Sequence, residues 1–312
     1  MTRSAAHLRS NAGTIVPALG VGVTYQPKMR AFIERYCGML DFLEIVPDML
    51  WEDRGNDAAV RYLDDVAARR WLNTIAQKLP VVAHSIGGSI GSAHSDLAPH
   101  LAQLKRWHND FMFPWHSDHL AFNLALHDDS QVNVGITLPI ARDDEGLELL
   151  CQRIETVQRH VPLPFAIENN VYFFDYPEQP YSDAEFLNAL LRESGCYLIL
   201  DLHNAYTNER NGFGRVDEFI ATLDLSRVIE IHVAGGMEMD DVYLDAHSGP
   251  TPPSVIDTLH AVLPYCSNLG GITFEILGSW FEHCGDAVIL DEIHALRELW
   301  VTRSATAQEL ST

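Results

Sequence analysis

The chain has 312 residues, 47% of them hydrophobic, and a formal net charge of −22. Nucleic-acid and anionic-membrane surfaces select for Lys and Arg, so this charge argues against either as a partner; it suits a cationic partner, and a role in solubility explains it equally well. The five cysteines form no CxxC pair and their odd number fits no closed disulfide set, which points to reduced thiols.

In chain order, short apolar runs alternate with helical patterns. Strands are predicted at Ala18–Tyr25, Asp41–Val46, Val81–Ser85, Phe113–His119, Phe165–Glu168, Tyr197–Asp201, Val228–Val233 and Gly271–Glu275. Most lack clean alternation, as expected of parallel strands covered on both faces. Helices are predicted at Pro27–Met39, Asp57–Lys78, Asp96–Asn109, Asp143–His160, Ser182–Ser194, Val216–Leu223, Pro253–Leu263 and Asp286–Val301. Ser182-Asp183-Ala184-Glu185 reads as a capping box and Gly195 as a helix stop.

Strand–helix alternation of this kind predicts a single (β/α)8 TIM barrel, which needs roughly 250 residues. We place it at 18–302, with an N-terminal extension (1–17) and a C-terminal tail (303–312). The rival, an open doubly wound sheet, lacks its glycine fingerprint: Gly20-Val21-Gly22 has no third glycine. The N-terminus has no apolar signal core, and no stretch reaches the length of a membrane span, so a cytoplasmic location is expected.

Metal-ligand side chains recur where the strands end. They are His84, Asp118 with His119, Glu168 with Asn169, Asp201 with His203 and Asn204, His232, and Glu275, while Asp245 and His247 follow in the loop after the His232 strand. Closing the strands into a barrel brings such residues together at its C-terminal mouth. Each alone has a plainer reading: a satisfied core histidine, a helix cap or a turn. Polar Asp201, His203 and Asn204 directly after an apolar run are the hardest to bury without purpose. Glu44 ends the second strand, as a ligand or a hydrogen-bond partner, and His116 is a supporting group or points elsewhere. The donors exceed what a single four- to six-coordinate ion can use. Histidines and carboxylates without cysteine suit Fe, Mn or Zn. Iron with open positions would admit O2; zinc would activate water.

The ordered segments HSIG, SDHLAF, IENN, LDLHNAY, EIHVAGG, DAH and a late Glu resemble the multinuclear non-heme iron-dependent oxidative enzymes (MNIO), the family of the methanobactin-biosynthesis oxidase. GVGVTY and DFLEIVPD resemble its first two strands, so the likeness spans residues 18–280. The resemblance implies a xylose-isomerase-like barrel, two or three iron ions of mixed Fe(II)/Fe(III) state, and O2 as co-substrate. It implies oxidation of a residue, often Cys, in a ribosomally made precursor peptide, with a separate leader-binding partner protein. By position it makes His84, Glu168, Asn169, Asp201, Asn204, His232, Asp245, His247 and Glu275 metal ligands; we add Asp118 and His203 to that set, and expect Asp118, Glu168 and His203 to be catalytic.

Two positions depart from the family pattern. Asp118 stands where the family has Glu, shortening the reach by about 1.5 Å. His203 stands where it has Asn. A peptide groove is expected from loops Tyr172–Tyr181, Thr207–Phe213 and Gly235–Tyr243. The alternatives are a zinc- or manganese-dependent hydrolase or sugar isomerase on the same barrel, and a non-catalytic metal-dependent binding subunit.

Overall fold

The computed structural model describes residues 16–55, 58–127 and 130–309. Eight parallel strands close into a barrel: β1 (Gly20–Thr24), β2 (Phe42–Ile45), β3 (Val81–Ser85), β4 (His116–His119), β5 (Phe165–Glu168), β6 (Tyr197–Asp201), β7 (Val228–Ala234) and β8 (Gly271–Glu275). Each strand pairs with its sequence neighbours, and β1 closes on β8 with Gly22 beside Thr273. All eight predicted strands are present: the first, second and fourth are shorter than predicted, the seventh runs one residue further, the other four match to the residue, and the (β/α)8 reading holds.

Side chains point alternately into and out of the barrel. The inward residues change character from bottom to top. Phe42, Val82, Trp115, Ala166, Ile199 and Ile229 form a closed apolar plug at the N-terminal end. Thr24, Glu44, His84, His119, Glu168, Asp201, His232 and Glu275 lie one step or two further along the same strands. The outward residues, among them Val21, Val23, Leu43, Ile45, Ile167, Leu198, Leu200 and Ile231, meet the helices in a second, larger core. The plug depends on missing side chains. A Cβ on Gly22 would lie 2.8 Å from the Phe42 ring and one on Gly271 2.7 Å from it, so the phenyl group fills space that two glycines leave open.

Helix starts follow local chemistry. The Asp65 carboxylate accepts from the amides of Ala67 and Ala68 and starts Val66–Ile75; Asp143 accepts from Gly146 and starts Asp144–His160. The Ser182 capping box forms around Asp183–Ser194, which Gly195 ends at φ 72°. Part of the predicted Asp57–Lys78 helix is instead a strand: Tyr62–Asp64 pairs with Trp51–Asp53. Asp64 is held there by Arg69, Arg106, Gln103 and Trp107, which outweigh the helical pattern. Two further hairpins, Phe122–His127 with Ser130–Leu138 and Met237–Met239 with Val242–Leu244, and the helix Leu202–Arg210 were not foreseen. The last helix runs Gly278–Glu309, kinked at Gly285, so residue 303 lies inside it. No helix among the described residues is long and apolar enough to cross a membrane.

Phe42→Ala is expected to destabilise the fold by about 3–5 kcal/mol and Gly271→Ala by about 1–3 kcal/mol. The double variant should lose less than the sum, because the new methyl enters the vacated ring space. Urea unfolding midpoints check this, and strict additivity would show that ring and glycine are not coupled.

Candidate metal centre

Glu168, at the end of β5, is the hub. Its Oε2 lies 3.3 Å from His84 Nε2 and 3.2 Å from His119 Nε2, and its Oε1 lies 3.1 Å from His232 Nδ1. His84 reaches it from β3, His119 from β4 and His232 from β7. The other ring nitrogens are fastened. His119 Nδ1 sits 3.1 Å from the Ser85 carbonyl oxygen, which can only accept, so the ring proton is on Nδ1. Burial moves the His119 pKa down, against the pull of Glu168, so the ring is neutral and Nε2 presents a lone pair. That lone pair faces Glu168 Oε2, a buried oxygen whose charged neighbour is the His84 ring, 3.3 Å away and outside good hydrogen-bond geometry. Two acceptors opposed at 3.2 Å repel each other unless a cation, a protonated His84 or a metal ion, lies at them. Ser117 donates its hydroxyl to the Ala83 carbonyl and receives His84 Nδ1 at 2.9 Å, which turns His84 Nε2 to the same oxygen.

Around this hub the carboxylates crowd. Glu168, Asp201, His232 and Glu275 offer atoms within 4.8 Å of one another. A second grouping, His203, Asp245 and His247, lies beside it. Asp245 Oδ1 is 2.7 Å from His203 Nδ1 and 3.0 Å from His247 Nε2, and His247 Nε2 is 3.9 Å from Glu275 Oε2. The two groupings therefore adjoin at Glu275. His247 takes φ 42°, a left-handed backbone that a β-carbon disfavours, and its carbonyl accepts from Leu277 N.

The charges explain the shifted acidities. Burial raises the Asp201 carboxyl well above its usual range, and Glu168, Asp245 and Glu275 add to it. Burial also raises Glu44. Burial opposes ionisation of Glu275, but His232 and His247 overcome it and hold its pKa at about 2. Burial works against protonating His84, yet Glu168 pushes it up to about 9; Asp245 and Glu275 likewise push the buried His247 to about 10. Without an ion, protons on these rings offset the carboxylates. A divalent ion would take their place, and the donor set of neutral imidazoles and carboxylates fits Fe, Mn or Zn.

The expected residues do not all converge. His84, Glu168, Asp201, His203, His232, Asp245, His247 and Glu275 do. Asn204 donates through Nδ2 to the Asn169 carbonyl, leaving its buried Oδ1 without a partner at the wall of the centre. Asn169 spends both amide ends on the Asp201 backbone, 2.8 Å and 2.9 Å, and acts as a clamp between β5 and β6. Asp118 falls outside every grouping. One residue before the inward His119, it points out of the barrel into a small cavity with Gly88, His100 and His116. There burial and Asp48 raise its carboxyl well above the usual range. His116 shares that outer face, buried against Phe165.

Sequence reading passed over Glu230, Thr24 and Ser117. Two-residue spacing signals two of them: Glu230 precedes His232 by two and Ser117 precedes His119 by two, so each pair shares a face, while Thr24 has no such neighbour.

The centre opens into a cavity of about 110 Å3 whose remaining walls include Val46, Met49, Ile276 and Leu277. A larger cavity of about 320 Å3, lined by Arg142, Tyr172, Phe213 and Phe219, contains none of the histidine donors. In the expected groove, Tyr172 is buried with its hydroxyl on Asp183, while Phe173 and Phe174 are exposed.

Among solved structures the chain is similar to a xylose isomerase-like TIM barrel protein from Mycobacterium smegmatis in complex with magnesium (TM-score 0.55, 13% identity, 89% of this chain and 90% of that one). It is also similar to D-psicose 3-epimerase from Clostridium cellulolyticum (TM-score 0.52, 12% identity, 93% and 98%). Identities this low carry the fold alone. In sequence it is 27% identical over 244 residues to a UPF0276 protein of Streptomyces avermitilis, covering 77% of this chain and about half, 47%, of that longer protein. A UPF0276 protein of Shewanella loihica is 26% identical over 275 residues, 86% of this chain and 90% of the relative. The family described as RiPP precursor modification enzyme MbnB/TglH/ChrH matches residues 20–276, from the first residue of β1 to one past the end of β8, and the chain belongs to that family.

Proposed function

We propose that the chain is a multinuclear iron-dependent oxidase that uses O2 to modify a residue, often Cys, of a ribosomally synthesised precursor peptide. The observation that carries the metal part is the Nε2 lone pair of His119 turned on Glu168 Oε2, with three histidine rings converging on that one buried carboxylate. Family membership carries the peptide part. His84, His119, Glu168, Asp201, His232 and Glu275 would hold one or two ions, and His203, Asp245 and His247 another, with Asn204 Oδ1 as a further donor. The ions, when bound, would supply O2 activation and a place for electrons taken from the substrate.

The chain's own groups have separate tasks. Glu168 and Glu275 supply the charge that keeps ions close together. Asp201, an acid by virtue of burial in the metal-free chain, would give up its proton when the oxygen not used by Asn204 takes an ion. Val46, Met49, Ile276 and Leu277 exclude water from the mouth and meet the peptide through apolar contact. A cationic leader or partner protein would match the net charge of −22, and a cytoplasmic setting suits reduced thiols.

Anaerobically purified protein should contain two or three irons per chain, ferrous and ferric by Mössbauer spectroscopy. Zinc or manganese alone, with no peptide oxidation gained on iron loading, would favour the hydrolase or isomerase reading. His232→Ala should lose iron and activity together; wild-type iron content in that variant would remove His232 from the ligand set. Zn2+ binding to the metal-free chain should release protons and tighten as pH rises toward about 9–10, because the ion displaces protons from His84 and His247. Calorimetry in buffers of different ionisation enthalpy reads this, and a pH-independent affinity would contradict it.

A further inference from the structure

His232 has carboxylates on both edges of its ring. Nδ1 faces Glu168 Oε1 at 3.1 Å and Glu275 Oε2 at 3.4 Å; Nε2 faces Glu44 Oε2 at 3.1 Å and Glu230 Oε1 at 3.8 Å. By residue type and spacing, Glu44, Glu230 and His232 could seat an ion as well as the other groupings do. Their partners argue otherwise. Trp115 Nε1 donates to Glu230 Oε2 at 2.7 Å, and the Thr273 hydroxyl donates to Glu230 Oε1 at 2.6 Å. The Thr24 hydroxyl lies 2.6 Å from Glu44 Oε1 and 3.1 Å from Glu275 Oε1, closer to the first. An indole N–H is a donor only, and a proton aimed at a carboxylate oxygen occupies the direction a cation would need. Trp115 is itself immobile: it is fully buried in the barrel plug, edge-on to Phe42.

We infer that Glu44, with Glu230 behind it, is a positioning residue: Glu44 holds His232 by Nε2 and Glu230 adds charge on that side, which commits Nδ1 to an ion at Glu168 and Glu275. The inference rests on the reading of those two carboxylates as ion ligands. A carboxylate behind a ligating histidine fixes the ring's tautomer and orientation and raises its basicity. Here the brace is itself braced from below: Trp115 and Thr273 hold Glu230, Thr24 holds Glu44, and the two carboxylates close the Nε2 side of the ring. The apolar plug thus sets the direction of a metal-binding nitrogen two layers above it.

The test uses the full chain labelled with 15N-histidine and loaded with Zn2+, a diamagnetic probe that needs no oxidase activity. Long-range proton–nitrogen correlation, assigned with His232→Ala, should show His232 protonated at Nε2 and metal-bound at Nδ1. Glu44→Gln keeps an acceptor for Nε2 and should keep this pattern, with Zn2+ affinity within about tenfold of wild type. Glu44→Leu should lose the tautomer preference and weaken Zn2+ binding about 10–100-fold. Metal at Nε2 in the wild type would overturn the inference and make Glu44 and Glu230 ion ligands. Bound Zn2+ that touches neither His232 nitrogen would overturn it too, while leaving the other groupings as metal sites. Full affinity and an unchanged tautomer in Glu44→Leu would remove Glu44 from the role. A chain that binds neither Zn2+ nor iron would end the proposed function, and this inference with it.

Discussion

Excess buried hydrogen-bond acceptors, converging where no arginine or lysine among the described residues pairs with them, are the constraint on which the upper half of this barrel depends. Glu168 meets three histidine rings, and at least His119 turns a lone pair rather than a proton toward it. Asp201, Glu275 and Asp245 stand close by. A buried acceptor without a donor costs about 1–3 kcal/mol, and more when charged. Protons on His84 and His247 relieve part of that cost, and divalent ions would relieve it more completely while holding the same geometry. The arrangement has the logic of a site that is complete only when loaded.

The lower half of the barrel makes that concentration tolerable. Phe42 fills the bottom against Gly22 and Gly271, and Trp115 against Gly270, so the carboxylates rest on a closed apolar floor. The interior then passes from apolar plug to hydrogen-bonded belt to metal donors within a few residues of each strand. Thr24, Ser117 and Thr273 make the belt: Ser117 donates to the Ala83 carbonyl, Thr273 to Glu230, and Thr24 lies between Glu44 and Glu275. The belt turns histidine rings that would otherwise be free to rotate, and orientation is what a metal site needs from its scaffold.

The departures from the family pattern have different consequences. Asp118 lies on the outer face of β4, where its shorter side chain sits beside Gly88, so the shortening does not alter the reach of a donor in the mouth. His203 sits on the first turn of the Leu202–Arg210 helix, 2.7 Å from Asp245, where an imidazole adds a donor to the second grouping. This chain therefore differs from the pattern in its peripheral grouping more than at the Glu168 hub.

The sequence by itself determined the barrel and most of the donors. Apolar runs of strand length alternating with helical patterns leave few folds, and polar residues at the ends of parallel strands meet only when those strands close. Helix caps at Asp65, Asp143 and Ser182 were likewise within reach of local chemistry, although only Ser182 was read. Tertiary structure alone decided which face each polar residue takes and what fastens it. Asp118 and His119 are adjacent and equally ligand-like in sequence, and a shift of one residue along the pleat sends one outward and the other to Glu168. Asn169 and Asn204 read alike, yet the first is consumed by the Asp201 backbone and the second keeps a free oxygen. The pairing of Glu230 with Trp115 spans 115 residues of chain, a contact that only barrel closure creates and no local pattern encodes.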